Sequence, residues 1–379
     1  MILLKTSLSK NNRLKGLLYL YAFLPFVLSR GRAASASSQI DLIAIIQILM
    51  VLFIFGNFIL SGLSVGKELR RLWSFKPTQY LLLLNFLFFL SVLWSSSALL
   101  SLWRSLEWLF LLMSISFLSA RLTTRELVLF WWNWALINGG IFSLIFVHGV
   151  SGSIDNYHGI WVYYATGIMF YPWRNPKVNK DKFVMLVLTV LSTSSKVFIG
   201  IALAVLSWLL ISRSKSLVKR IFSYIIAIGI TLFFSSNLSL LFYGKTDDEI
   251  ENGSGRLLVW DYALELIPDK LWLGYGFTAG EKLLASGLRL NIVEAHNSFL
   301  SVMLSTGIIG LLLLFFSWLS LYIRTYRLGI SWLWMSLVCS TTFMFFDNSF
   351  GTRVSPAVLS TWALFFIIRS YHEKNFNNK

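Results

Sequence analysis

Long apolar runs recur from one end of this chain to the other, and nothing else in the sequence limits the fold as tightly. A helix needs roughly 20 residues to cross about 30 Å of hydrocarbon. Candidate spans cover residues 14–29, 40–62, 78–97, 99–120, 126–148 and 157–173 in the first half. In the second half they cover 182–195, 197–212, 220–236, 296–323, 330–346 and 353–370. With 56% hydrophobic and only 13% charged residues, the chain cannot clothe a water-soluble domain of this size. It reads as an all-α polytopic membrane protein of about twelve transmembrane helices.

A net charge of +16 invites a nucleic-acid reading, but the cations fall in short clusters between the runs. Lys5, Lys10, Arg13 and Lys15 form the first, and Lys67, Arg70, Arg71 and Lys76 the second. Arg121 with Arg125, Arg174 to Lys182, Arg213 to Arg220, Arg324 with Arg327, and Arg369 to Lys379 follow at alternate connections. That alternation is a topology signal: clustered side inward, both termini cytoplasmic, in the plasma membrane. Trp and Phe abundance fits interfacial belts and lipid contact, so no nucleic-acid partner is expected. Residues 1–36 imitate a signal peptide, but Arg30 and Arg32 separate the apolar run from Ala33-Ala34-Ser35-Ala36, which favours an uncleaved first span.

The same topology puts one long hydrophilic segment, roughly residues 237–295, on the outer face. The chain thus divides into a bundle of about nine spans (1–236), this loop, three last spans (296–370) and a tail (371–379). More than half of the 17 acidic residues lie in the loop, and Val259 to Ile267 shows helical spacing of apolar positions, so short helices are expected there. The run Asp247-Asp248-Glu249 reads as a solvated stretch, since adjacent residues rarely converge on a metal. Cys339, alone in an apolar run, allows neither a disulfide nor a cysteine metal site.

Four cations break the inward pattern. Lys196 ends the turn Ser192-Thr193-Ser194-Ser195, Arg256 sits in the loop, Arg353 opens the last span, and Arg104 lies about one turn below the outer surface. Arg104 precedes Glu107 by three residues, so an intramembrane ion pair competes with ligand binding. Cations on this face would suit a concentrated negative charge at the membrane boundary.

The loop reads Ser254-Gly255-Arg256-Leu257-Leu258-Val259-Trp260, then Gly274-Tyr275-Gly276-Phe277, and ends at His296-Asn297. Gly307-Ile308-Ile309-Gly310 follows after nine further residues. The series resembles the O-antigen ligase and O-antigen polymerase superfamily, and the layout resembles multi-span glycosyltransferases of the GT-C type. Asp347, Arg353 and Pro356 are spaced as in the ligases of that superfamily, which tilts the reading towards a ligase. Lys196 stands where relatives commonly carry arginine, keeping the charge and losing the bidentate fork.

The resemblance implies a glycosyltransferase of the bacterial inner membrane. Its donor would be a glycan on undecaprenyl pyrophosphate, and its acceptor the lipid A core or, for a polymerase, a lipid-linked repeat unit. It implies no metal, no nucleotide sugar and no other cofactor, with the site on the periplasmic side. His296 is the candidate base, an imidazole able to take the proton of an attacking hydroxyl. Arg256 is the second catalytic candidate, and Lys196, Arg353 and Arg104 are candidates for the donor pyrophosphate. Asn297 would orient the ring or cap the following helix, Trp260 and Asp347 are supporting residues, and Gly307 with Gly310 would admit a neighbouring helix. A lipid-linked glycan flippase is the competing class; it predicts two similar halves, and no internal repeat is evident.

Overall fold

The computed structural model describes residues 11–20, 42–133, 195–211, 256–288, 295–346, 350–351, 354 and 356–377. The described residues are helical or irregular, with no strand among them. The helices are α1 (Leu42–Leu60), α2 (Val65–Trp73), α3 (Lys76–Leu90), α4 (Ala98–Arg121), α5 (Ser195–Ile211) and α6 (Arg256–Leu266). After them come α7 (Ala279–Leu288), α8 (Ser298–Leu328), α9 (Ser331–Phe346) and α10 (Pro356–Asn377). Residues 11–20 and 124–133 are also helical.

Among the described residues three helices are long and apolar enough to cross a membrane: Lys76–Leu93, Ala98–Arg121 and Ser298–Leu328. A fourth crossing follows if the pair Ile45–Leu60 and Val65–Trp73, bent by 94°, is one broken span. The expected spans at 157–173 and 220–236, all but the last residue of 182–195, about two thirds of 126–148 and more than half of 14–29 lie outside the described residues.

The chain forms two compact units. One holds Met1–Phe130, Arg256–Leu321 and Asp347–Lys379; the other holds Trp131–Gly255 and Tyr322–Phe346. In the second, α5 lies along α9, where Trp334 Nε1 donates to Ser207 Oγ at 3.1 Å.

The core of the first unit is aromatic and centred on Trp108 of α4, which is 1% exposed. Its ring meets Trp362 of α10 edge-on at 5.0 Å, Phe88 of α3 at 5.4 Å and Phe350 at 5.6 Å. At the other end of α4 a polar clamp closes the bundle. Ser116 Oγ donates to the buried Glu68 carboxylate, Arg71 to the Ser116 carbonyl, and Arg369 to the Arg71 carbonyl at 2.6 Å. The basic stretch Lys67 to Lys76, expected as a connection, thus builds α2, with Lys67, Arg70 and Trp73 facing outward.

α8 is one helix only in outline. Thr306 (φ −138°) and Gly307 (φ 64°) break it, so nearby backbone groups lose their partners within the helix. In apolar surroundings each such group must be satisfied elsewhere. The loop between α6 and α7 supplies the partners. The Tyr275 amide donates to the Leu304 carbonyl at 2.7 Å, the Gly276 amide to Ser305 at 3.0 Å, and the Ile308 amide to Leu271 at 2.8 Å.

Candidate functional site

α6 begins at Arg256, and its buried positions Val259 and Ala263 form one stripe with Ile267 just beyond its end. A 3₁₀ turn, Ile267–Lys270, carries the chain into the glycine-rich segment. Gly274 and Gly276 take positive φ (63° and 101°), where a side chain is strained, and both lie against backbone or side chain of neighbouring elements. A Cβ on Gly274 would stand 2.6 Å from the Leu304 carbonyl, and one on Gly276 2.4 Å from Ser95 Cβ.

The glycines deliver Phe277 into the bundle. Its ring, fully buried, stacks on Phe88 at 3.9 Å, while its amide donates to Ser91 Oγ at 2.9 Å. Its carbonyl takes the Ser101 hydroxyl at 2.7 Å. The Gly-x-Gly-Phe motif is therefore a plug that fixes the loop to α3 and α4.

With the loop so fixed, α6 reaches the residue before His296: Trp260 Nε1 donates to the Ala295 carbonyl at 2.9 Å. Arg256 lies one turn earlier on the same face of α6 and is half-buried. His296 itself has φ 50°, a left-handed backbone in a residue with a Cβ. Such strain persists only where the surroundings over-determine it, and it gathers at functional positions.

The surroundings are visible in the residues that follow it. Asn297 Oδ1 accepts the amides of Phe299 (3.0 Å) and Leu300 (3.2 Å), capping α8. The Phe350 amide donates to Ser298 Oγ at 3.3 Å, and Ser305 Oγ donates to the Gly351 carbonyl at 3.2 Å. Gly351 (φ 87°) presses on Ser301, whose hydroxyl donates to the buried Glu281 carboxylate of α7 at 2.6 Å. α6, α7, α8 and the 350–351 segment thus meet at the first turns after His296.

Asp347 and Arg353 lie outside the described residues, although Phe350 and Gly351 anchor the stretch between them. Lys196 is the second residue of α5, in the other unit. Arg104 forms an ion pair with Glu107 at 2.7 Å. Gly307 admits the loop backbone: a Cβ there would stand 2.3 Å from the Trp272 carbonyl, while one on Gly310 would meet Thr306 Oγ1 of its own helix.

Sequence reasoning passed over Glu281, Ser298, Ser301 and Lys282. The first three carried no motif, and only their hydrogen bonds mark them. Lys282 Nζ lies 3.4 Å from Ser97 Oγ, and burial, followed by the Arg104 guanidinium, holds its pKa below the ordinary lysine value.

These features define an all-helical protein, among the described residues, with apolar helices long enough to cross a membrane and a glycine-rich loop pinned among them beside His296. Residues 182–315 match the family described as "O-Antigen ligase", a stretch that includes Lys196, Arg256, Trp260 and His296. The chain is also similar to the O-antigen ligase of Pseudomonas aeruginosa, at 28% identity over 174 residues. That alignment covers 45% of this chain and 35% of the relative's own length, so the match spans about a third of that protein. The resemblance to the O-antigen ligase superfamily, first seen in the loop motifs, is borne out over this stretch.

Proposed function

We propose that this protein is an O-antigen ligase: a glycosyltransferase that moves a glycan from undecaprenyl pyrophosphate to a sugar hydroxyl of the lipid A core. It works at the periplasmic face of the inner membrane, within a bundle of about twelve spans. The observation that carries the reading is the setting of His296. Its strained backbone lies between a carbonyl held by Trp260 and a first helical turn held by the Phe350 amide.

His296 takes the proton from the acceptor hydroxyl as that oxygen attacks the anomeric carbon. A positioned base of this kind contributes typically 10²- to 10⁴-fold to the rate. Arg256 pairs with the pyrophosphate as the glycosyl bond breaks and the leaving group gathers charge. Lys196 and Arg353 belong to the same set, and Gly351, two residues before Arg353, is already anchored on the first turns of α8. Arg104 joins through its position near the outer end of α4. A metal is not required, because the cations neutralise the leaving group.

The test is purified protein with a lipid-linked glycan donor and lipid A core, with capped core as readout. Wild type gives product with or without chelator, and His296→Ala lowers its rate by about 10²-fold or more. Capped product at the wild-type rate from His296→Ala would remove the base. Elongated glycan left on the lipid, with the core untouched, would mark a polymerase.

A further inference from the structure

The segment that joins α6 to α7 changes character after Lys270. Pro268, Asp269 and Lys270 are exposed and suit water, yet the next three side chains, Leu271, Trp272 and Leu273, are exposed as well, Trp272 to 67%. Beside them Trp94 donates its indole N–H to the Leu273 carbonyl at 3.1 Å, and Leu93, the residue before Trp94, is 83% exposed. A contiguous set of large apolar side chains turned outward on a loop marks an interaction face.

The backbone of this turn is fixed against α8. The Ile308 amide donates to the Leu271 carbonyl and the Gly274 amide to the Lys270 carbonyl, both at 2.8 Å. A Cβ on Gly307 would stand 2.3 Å from the Trp272 carbonyl, so the turn sits directly on the break in α8. The longest helix described is therefore interrupted at the level of an outward-facing tryptophan.

The length of α8 says where that level is. Residues 308–328, beyond the break, rise about 31 Å, which matches a hydrocarbon thickness of about 30 Å. Arg324 and Arg327 stand near the far end, and the exposed side chains Ile309, Leu312, Phe316 and Leu319 follow one another at helical spacing from just past the break. The part of α8 fitted to lipid thus begins where the turn touches it. Trp272 falls at the boundary between hydrocarbon and headgroups, the layer that suits an indole with an apolar body and one polar N–H.

We propose that Leu271, Trp272 and Leu273 form a membrane anchor, a turn that dips into the phospholipid layer on the side of the bilayer where α8 begins. Its partner is the boundary zone of the acyl chains, and it fixes the depth of everything the loop holds. The turns of α8 before the break, residues 298–305, rise only about 12 Å, so His296, just before them, stays close above the headgroups. The segment expected to be hydrophilic is thus in part bound to lipid. The anchor does not depend on glycan transfer.

The experiment places a nitroxide on a single engineered cysteine, Trp272→Cys, Leu273→Cys or Glu265→Cys, in the full chain reconstituted into phosphatidylcholine liposomes. Cys339 is buried, and Glu265 is an exposed carboxylate of α6. Collision rates are measured with oxygen, which partitions into the bilayer, and with a water-soluble nickel chelate. The oxygen-to-nickel ratio should rise several-fold from Glu265→Cys to Trp272→Cys, with Leu273→Cys like Trp272→Cys. Where one turn variant loses its melting transition, the other decides. Nickel access at the turn equal to that at Glu265→Cys overturns the anchor, because the turn is then in water. Shielding of the turn from both reagents overturns it too, because protein then covers the face. If the oxygen preference holds in a protein that transfers no glycan to any acceptor, the ligase reading falls and the anchor stands. If transfer proceeds while nickel reaches the turn freely, the anchor falls alone.

Discussion

Trp260 holds the carbonyl before His296 with a single indole N–H, a bond worth about 1 kcal/mol net. Trp260→Phe keeps the packing of α6 and removes that donor. We expect it to lower kcat by about three- to tenfold with donor KM nearly unchanged, because the base is misplaced and the phosphate contacts remain. Steady-state transfer kinetics check this, and a change confined to KM would contradict it. The histidine was legible from sequence because a titratable side chain in a motif is a chemical signal. For Asn297 two roles were open, and the hydrogen bonds to Phe299 and Leu300 are those of a cap. The left-handed backbone of His296 had only a weak signal, since histidine is enriched at positive φ over most residues but adopts it far less readily than glycine.

At the scale of elements, the break in α8 decides where the loop can sit. Gly307→Ala would add a Cβ at positive φ and 2.3 Å from the Trp272 carbonyl. The loss should exceed 1–2 kcal/mol, read as a lower melting temperature in detergent, and it should be larger than that of Gly56→Ala, where the Cβ meets nothing within 4 Å. Hydropathy found α1, α4, α5 and α9 to within two residues at each end because their apolar runs are continuous, and placed α3 and α8 with one end off by seven and five residues. It could not find the break, since Gly-Ile-Ile-Gly inside an apolar run also suits a helix packed on another helix. Nor did it find α2, whose charges were expected on a connection and instead line one side of an amphipathic helix.

For the whole molecule the orientation is the property to test. Ser286 of α7 and Lys67 of α2 are both exposed, and Cys339 is buried, so single engineered cysteines report the side on which they lie. A membrane-impermeant maleimide should label Ser286→Cys in spheroplasts and reach Lys67→Cys only after the membrane is opened. Labelling of Lys67→Cys from outside would invert the topology. The expected orientation rests on the lysines and arginines alone, whereas the way the loop is pinned depends on contacts between residues far apart, which no local pattern encodes.

The loop amides at Tyr275 and Gly276 are satisfied by carbonyls at Leu304 and Ser305. A ribosome makes the donors roughly thirty residues before their acceptors, a delay on the order of a few seconds at ordinary elongation rates. The loop can therefore be pinned only after the first turns of α8 have been made, so the shape of the site is completed late, by a helix that follows it in the chain.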